Sequence, residues 1–357
     1  MFFSRGAVAV AILLTVATAV IALPSAGAQG CEPIRFTTPV RLGGQGEAYP
    51  GQRQWQLTLA YRRLRSDEWF VGTSEKPAMA PGGVSPVFNI QTVIADVGYA
   101  LTDRITLHAS VPFSRGSLSR VGWADGQRHV QTASGIGDVS VQGDVWLLDP
   151  RTHEGSNLSL GIGVKAPTGS HRRPSQYYTA TGAIPFPADQ TIQPGDGGWG
   201  ISVQTQAFHR VTERWFAYAG GSYMASPRAQ SDVLFDPAQT VHWSVPDVYG
   251  ARLGAAVAAL PEQGLTLSLG LRLDGIPRRD LFGGGDSTTI KRTSRILLAD
   301  PGMSLSRGRN SFTLSVPVRV HVNRIKSIRE ENSTGRAAIN GGGFAKYLVF
   351  ASYSIRW

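Results

Sequence analysis

A two-residue alternation of apolar and polar side chains recurs along this chain and constrains its fold more than any other feature. In the segment Gly264–Asp274, leucine occupies every second position from Leu265 to Leu273. The segment Phe344–Trp357 repeats the alternation with aromatic residues near its end. Successive side chains of a β-strand point to opposite faces, so each segment predicts a strand with one apolar and one polar face.

The pattern, together with the turn residues between segments, predicts about twelve strands. The predicted strands are Gln52–Arg63, Asn89–Tyr99, Arg104–Ser114, Gly137–Leu148, Asn157–Pro167, Trp199–Arg210, Arg214–Met224, Asp247–Ala259, Gly264–Asp274, Arg292–Met303, Asn310–Val322 and Phe344–Trp357. Their lengths are near the roughly 9–11 residues that a tilted strand needs to cross a bilayer. The sequence leaves the register of Arg292–Met303 open.

The connections between these strands alternate between long loops and short turns. Outer-membrane barrels have long extracellular loops and short periplasmic turns, whereas a soluble sandwich, the alternative, has no reason to alternate in this way. A spanning sheet must also close, because lipid cannot satisfy backbone groups. The fold class we predict is therefore all-β, a transmembrane antiparallel up-and-down β-barrel. Twelve strands leave room for a narrow or loop-constricted lumen.

The start of the chain predicts export. Arg5, an apolar run from Ala7 to Leu23 and a small-x-small site ending at Ala28 form a signal peptide, residues 1–28, cleaved near Ala28. A lipoprotein site at Cys31 is disfavoured by the glutamine two residues before it. Residues 29–51 read as a periplasmic lead-in, although they could also tuck into the barrel, and residues 52–357 form the barrel. After the signal peptide, no apolar run approaches the roughly 20 residues of a membrane helix.

The charge and composition of the chain limit which molecules it is expected to bind. The net charge of +10 favours anionic lipid headgroups, lipopolysaccharide or an anionic solute over nucleic acid, which an exported chain rarely meets. A closing strand that stops on Trp357 is similar to the signal that barrel-assembly machinery reads in outer-membrane proteins. Trp199 and Trp215, like Trp357, lie near strand ends as interfacial girdle residues do. With Cys31 as the single cysteine, no internal disulfide can form.

On the predicted registers, more basic than acidic side chains face the lumen. The candidate selectivity residues are Arg62, Asp96, Asp144, Lys165, Arg252, Arg272, Asp274 and Arg319, and Lys346 and Arg356 share their face. An excess of positive charge between low-dielectric walls favours anions over cations. The alternative is that these charges neutralise one another and simply keep the interior wet.

The remaining motifs give only weak indications of a catalytic or metal site. His108 and Ser110 resemble the His-x-Ser pair of outer-membrane phospholipase A, but Val111-Pro112 follows where that family has Asn-Gly, and no third orienting residue is evident. The loop acids Asp280 and Asp286 could hold calcium but are typical of a solvated loop. We predict no enzyme activity, no cofactor and no metal site.

Four short motifs resemble the outer-membrane barrel family associated with meta-pathway degradation of phenols, often described as transporter-like. They are Leu59–Arg62 with Phe70–Thr73, Gly135–Asp138, Gly163–Gly169 and Gly270–Pro277. This resemblance implies a porin-like role in passing hydrophobic or aromatic compounds across the outer membrane, and it supplies no catalytic residues.

The sequence thus predicts an outer-membrane channel or uptake protein that passes small hydrophobic or aromatic solutes, anionic ones among them, by passive diffusion. The alternative is a structural or surface-interaction barrel that conducts nothing. The solute, the oligomeric state and whether loops or the N-terminal segment plug the lumen are not determined by the sequence.

Overall fold

The structure, a computed structural model, describes residue 49 and residues 51–282, 285–334 and 341–357. The predicted signal peptide and nearly all of the predicted lead-in lie outside the described residues. Within the described ranges, no helix is both long and apolar enough to cross a membrane.

Strands dominate the described residues. In chain order the strands are β1 (Trp55–Ser66), β2 (Glu68–Val71), β3 (Ser74–Glu75), β4 (Val87–Ala100), β5 (Ile105–Arg120), β6 (His129–Ile136), β7 (Ser140–Trp146), β8 (Ser156–Lys165), β9 (Pro174–Thr179), β10 (Gly182–Pro187), β11 (Gly200–Arg210), β12 (Trp215–Ala225), β13 (Gln230–Leu234), β14 (His242–Ser244), β15 (Val248–Leu260), β16 (Leu265–Ile276), β17 (Ser294–Arg307), β18 (Asn310–Ser315), β19 (Val318–Asn323), β20 (Gly341–Phe344) and β21 (Leu348–Arg356). The helical turns are the 3₁₀ segments Pro77–Met79, Pro81–Gly83, Gln190–Ile192, Pro261–Gln263 and Gly285–Ser287, and one α-helix, α1 (Ile328–Glu331).

The main sheet closes on itself as an antiparallel barrel of twelve strands. Neighbours around the ring are β1, β4, β5, β7, β8, β11, β12, β15, β16, β17, β18 and β21, and β21 pairs with β1. Two of these positions are interrupted strands. β6 continues the position of β7 along the far half of β5, and β19 continues that of β18 along β17. The predicted fold class is confirmed.

The differences from the predicted strands lie at these interruptions. β6 falls in a segment predicted as loop. The predicted strand Asn310–Val322 is split, and a bulge in the pairing of β19 turns Val322 into the interior while Val320 stays exposed. The closing strand begins at Leu348, because Phe344 belongs to β20, which pairs with β2 inside the loop region. Bulges and breaks depend on the neighbouring strand, which alternation within one segment cannot show.

The two faces of the barrel differ as the alternation predicts. Outward side chains form an exposed apolar band that includes Ile162, Val203, Leu253 and Leu269. A band of this size is not expected on a monomer in water and fits contact with lipid. The inner faces carry buried polar groups such as Thr58 instead.

The two ends of the barrel also differ. Connections at the end that holds Trp55 and Trp357 are turns of two to nine residues, and we call this the short-turn end. The opposite, long-loop end carries the connections that contain β2, β3, β9, β10, β13, β14 and β20. Trp199, Trp215 and Trp357 are each more than half exposed near strand ends, where girdle residues are found.

Candidate functional site in the barrel interior

An apolar cluster fills part of the interior near the long-loop end. It combines inward side chains of the wall with side chains that the loops bring inside. Its buried members are Leu64, Phe70, Phe88, Ile90, Leu118, Ala133, Ala188, Ile192, Ile296, Leu298, Val322, Phe344, Ala345 and Leu348. We refer to this set as the apolar cluster. Such a cluster is unexpected in a water-filled pore, whose interior is polar.

The long connection between β8 and β11 supplies the inward-folded Ile192. A 3₁₀ turn, Gln190–Ile192, begins after Asp189, whose side chain accepts a hydrogen bond from the backbone N–H of Thr191. Ile192 is 1% exposed and packs so close to β5 that a Cβ atom added at Gly116 would lie 2.7 Å from the Ile192 Cβ. Glycine at position 116 therefore lets the loop approach the wall.

Ion pairs cover the wall opposite this loop. Arg272 Nε lies 2.6 Å from Asp274 Oδ2, both side chains are buried, and the Arg272 guanidinium stacks 4.6 Å from the ring centroid of Phe350. Arg252 lies 2.7 Å from Asp300 Oδ2 on β17. The predicted candidates Arg252, Arg272 and Asp274 thus share one wall, and Asp300 joins them as an acid that the sequence reading did not assign.

Two further basic candidates are paired with acids. Arg319 lies 2.6 Å from Glu68 of β2, and Lys346 lies 2.7 Å from the other oxygen of the same carboxylate. Arg62 is buried and its guanidinium reaches Thr92 Oγ1 at 3.4 Å. The two ion pairs of Glu68 tie the folded-in loop segment β2 to Arg319 of β19 and to Lys346, whereas the Arg62 contact joins the wall strands β1 and β4.

Lys165 is almost fully buried between two aspartates. Its Nζ contacts Asp196 and lies 3.6 Å from Asp138 Oδ2, and the side chain is 1% exposed. Asp138 also accepts backbone hydrogen bonds from Gly169 and from Asp196 itself. Two of the motifs that suggested the family resemblance therefore meet here, at the point where the longest loop leaves and rejoins the barrel.

Asp96 and Asp144 lie on the inner face nearer the short-turn end, on either side of His108. His108 Nδ1 lies 3.1 Å from Asp96 Oδ1, and its Nε2 lies 3.7 Å from Asp144 Oδ2. The Ser110 hydroxyl donates to Asp96. His108 and Ser110 therefore both engage the same carboxylate, and this arrangement does not supply the base-to-nucleophile contact that hydrolysis would need.

The loop acids Asp280 and Asp286 share a lysine. Lys291 Nζ lies 2.6 Å from Asp280 and 2.8 Å from Asp286, and its side chain is fully buried. Burial raises the pKa of the Asp280 carboxyl, against the opposing effect of Lys291. Lys291 thus pairs with both loop acids. No group of three or more His, Cys, Asp or Glu side chains suited to a metal is found in the described residues.

The interior at the short-turn end is also lined by aromatic and basic groups. The ring of Tyr49 packs against Trp146 and Phe208 at 5.1 and 5.9 Å between centroids. Asn157 donates to the Tyr49 hydroxyl at 2.9 Å. A cavity of about 470 Å³ lies near the turns that follow β15 and β17. Arg307, Arg309 and Arg356 contribute to its lining, with Glu213 and Glu262 as the acids.

Sequence reasoning missed the acids that compensate the basic candidates. Asp300 precedes a proline in the predicted strand Arg292–Met303, where the alternation is least regular. The sequence therefore does not show which face of the strand Asp300 occupies. Glu68, Asp138 and Asp196 lie outside the predicted strands or at their edges. The only available signal was an acid next to glycine in Gly135–Asp138, a pattern that does not identify a partner.

No protein-family model matches this chain, and no curated protein is significantly similar to it. Solved structures are similar in fold. An outer membrane channel described as COG4313, from Pseudomonas putida F1, has a TM-score of 0.60 and 16% identity over 88% of this chain and 100% of that chain. The toluene transporter TodX from P. putida has a TM-score of 0.40 and 12% identity over 86% and 91%. The toluene transporter TbuX from Ralstonia pickettii has a TM-score of 0.42 and 11% identity over 86% and 90%. The first of these similarities supports the same conclusion as the strand pairing: this chain has the fold of a closed twelve-stranded outer-membrane channel.

Proposed function

We propose that this protein is an outer-membrane channel or uptake protein that passes small hydrophobic or aromatic solutes by passive diffusion. The observation that carries the proposal is the apolar cluster inside the barrel, together with an outer band suited to lipid. The fold similarity to an outer membrane channel supports it. A hydrated ion gains nothing from an apolar interior, whereas an aromatic solute gains about 25 cal/mol for each Å² of apolar surface buried.

Passage requires the cluster to open, and its composition suggests how. Ile192 and Phe70 come from loop segments rather than from the main barrel ladder. They can move aside without breaking the inter-strand hydrogen bonds that keep the wall closed. A solute would then leave the cluster toward the polar inner face around Asp96, where water replaces the apolar contacts and favours release.

A preference for anionic solutes remains part of the proposal. It rests on Arg62, Lys165, Arg252, Arg272 and Arg319, for most of which the structure shows an acidic partner. Pairing reduces the positive field, so we expect a weak preference. Kinship with the meta-pathway barrels, export by a signal peptide cleaved near Ala28, delivery by barrel-assembly machinery and contact with lipopolysaccharide also stay predictions.

The filled interior also favours a second candidate, a structural or surface-interaction barrel that conducts nothing. Loop segments, the apolar cluster and the ion pairs together occupy much of the lumen near the long-loop end. The two candidates differ in whether a solute crosses.

An uptake experiment distinguishes the channel from the structural barrel. It compares the uptake of a labelled aromatic hydrocarbon by cells that lack the protein and by cells that express it. Expression should raise the initial uptake rate for toluene without raising that for a sugar of similar size. Leu298→Asn, which places an amide in the cluster where the side chain is 0% exposed, should reduce the toluene rate, whereas the volume-matched Leu298→Met should not. Equal uptake with and without the protein would favour the structural barrel.

A further inference from the structure

A group of basic and aromatic side chains adjoins the apolar cluster at the long-loop end. It surrounds Arg120, the last residue of β5. The Arg120 guanidinium stacks on Trp123, with its Cζ 3.9 Å from the ring centroid. Arg120 Nε and Trp123 Nε1 are both buried and lack a hydrogen-bond partner in the described part of the chain. Two adjacent buried donors without acceptors are costly, so a missing acceptor is expected there.

A second arginine faces the same region. Arg292 stacks on Trp243 at 4.6 Å, donates to Thr191 Oγ1 at 3.1 Å and lies 3.5 Å from Asp189 Oδ2. Burial by itself would raise the pKa of the Asp189 carboxyl, but the charges of Arg292 and Arg120 and the hydrogen bonds from Thr191 together lower it. Two guanidinium groups therefore act on the carboxylate of Asp189.

Aromatic rings surround Trp123. Tyr177 and Tyr178 each pack edge-on against its indole with centroids 5.3 Å away, and Phe186 packs on Tyr177 at 5.8 Å. The Tyr177 hydroxyl donates to Asp236 Oδ2 at 2.6 Å. That bond fixes the ring of Tyr177 and engages the second nearby acid.

This arrangement is continuous with the apolar cluster. Leu118, two residues before Arg120 and on the same face of β5, is a member of the cluster. Asp189 follows directly after Ala188 and stands three residues before Ile192, both of them members. A ligand whose polar end met Arg120 would therefore have its apolar end at the entrance to the cluster.

We propose that Arg120 and Trp123, with Tyr177, form a capture site for aryl carboxylates at the long-loop end of the barrel. Guanidinium groups bind carboxylates through two parallel hydrogen bonds, and the surrounding rings accept an aromatic ring in an edge-on or offset geometry. Asp189 and Asp236 stand nearby and disfavour a dianion such as phosphate. The proposal rests on the proposed function, since it names the solute class that the channel would admit.

Binding of benzoate to the purified full-length protein in detergent tests this site, with tryptophan fluorescence and ligand-observed NMR as readouts. Arg120→Gln should weaken benzoate binding by at least about tenfold, as expected when a hydrogen bond to a charged group is lost. Arg115→Gln is the matched control, because Arg115 is exposed on the same strand. It should bind benzoate as the unmodified protein does. Heat-shifted electrophoretic mobility verifies that each variant has assembled.

Probe chemistry provides an independent test in the unmodified protein, so the proposal stays falsifiable even where Arg120→Gln does not assemble. Benzoate should bind more tightly than cyclohexanecarboxylate, and acetate and inorganic phosphate should not compete. Equal competition by acetate, or unchanged binding in Arg120→Gln, would overturn the proposal. If the unmodified protein takes up no toluene but binds benzoate through Arg120, the channel proposal fails and the site stands.

Discussion

Arg252 on β15 and Asp300 on β17 form an ion pair across the inner face of β16, with 2.7 Å between guanidinium nitrogen and carboxylate oxygen. The residue of β16 that pairs with Asp300 is Gly270, which pairs in turn with Gly254 on β15. The Tyr218 hydroxyl occupies the space above both glycines, 2.5 Å from where a Cβ atom would stand at either position. An acid that is 1% exposed compensates a charge that would otherwise face the lumen.

Replacing Asp300 should leave the positive charge of Arg252 without its acidic partner. In planar bilayers, Asp300→Asn should shift the reversal potential in a salt gradient toward anion selectivity. Oppositely charged groups near contact attract by about 4 kcal/mol at an effective dielectric near 20. An anion that felt a third of this attraction would be favoured about tenfold. The double variant Arg252→Gln/Asp300→Asn is the neutral control and should return to the original selectivity. A reversal potential unaffected by Asp300→Asn would show that the pair lies off the ion path.

Lys165→Met should destabilise the protein. Removing one partner of a buried ion pair leaves the other charge buried and uncompensated. The free energy of unfolding should therefore fall by about 3–5 kcal/mol. Urea titration of the protein in lipid vesicles measures this change. The loop between β8 and β11, which Asp138 and Asp196 hold beside Lys165, should become sensitive to protease.

The matched control for Lys165 is Arg151→Met. Arg151 also pairs with an aspartate, Asp103, but its side chain is 73% exposed. Exposed pairs contribute about 0–1 kcal/mol, so unfolding and protease sensitivity should change little. Equal destabilisation by the two substitutions would contradict an anchoring role for Lys165.

The loop around Tyr177 should lose order at high pH. Burial and the hydrogen bond to Asp236 raise the pKa of Tyr177 to about 12. The folded loop therefore retains a proton that the unfolded loop loses near the ordinary tyrosine pKa of about 10. This stability is fully present below pH 10 and is lost as the pH rises to about 12.

Trp123 fluorescence between pH 9 and pH 13 is the measurement for Tyr177, compared with the Tyr177→Phe variant. Tyr177→Phe should remove the part of the transition that depends on the phenol. Tyr178→Phe is the matched control, since Tyr178 packs on Trp123 at the same 5.3 Å. Identical profiles for Tyr177→Phe and the unmodified protein would mean that the bond to Asp236 does not hold the loop.

Closure of the ring depends on β21. Ala351 pairs with Tyr61 of β1 on one side and with Leu314 of β18 on the other. Ala351→Pro removes a backbone donor from a strand that is paired on both sides, so the barrel should not close. The measurement is the shift in electrophoretic mobility between unboiled and boiled samples, which should disappear. Ala351→Val keeps the donor and should keep the shift. A retained shift in the proline variant would argue against the β1–β21 seam.

The sequence by itself determined the strand count, the faces of most strands and the fold class. These follow from local rules, because side chains alternate along a strand whatever it pairs with, and a lipid-facing band must be apolar. The alternation in Gly264–Asp274 needs no partner to be read. Where two strands share one position, as β18 and β19 do, the alternation within Asn310–Val322 does not show the bulge that turns Val322 inward while Val320 stays exposed.

Only the tertiary structure decided what the interior contains. The apolar cluster joins Leu118 of the wall to Ile192 of a loop. The ion pairs of Lys165 join β8 to Asp138 before β7 and to Asp196 before β11. Burial and ion pairing depend on contacts between residues far apart in sequence, and the loops have no periodicity that predicts where they fold. The sequence therefore predicted charges on the inner face, whereas the tertiary structure decided that Arg252 meets Asp300 and that loops enter the lumen.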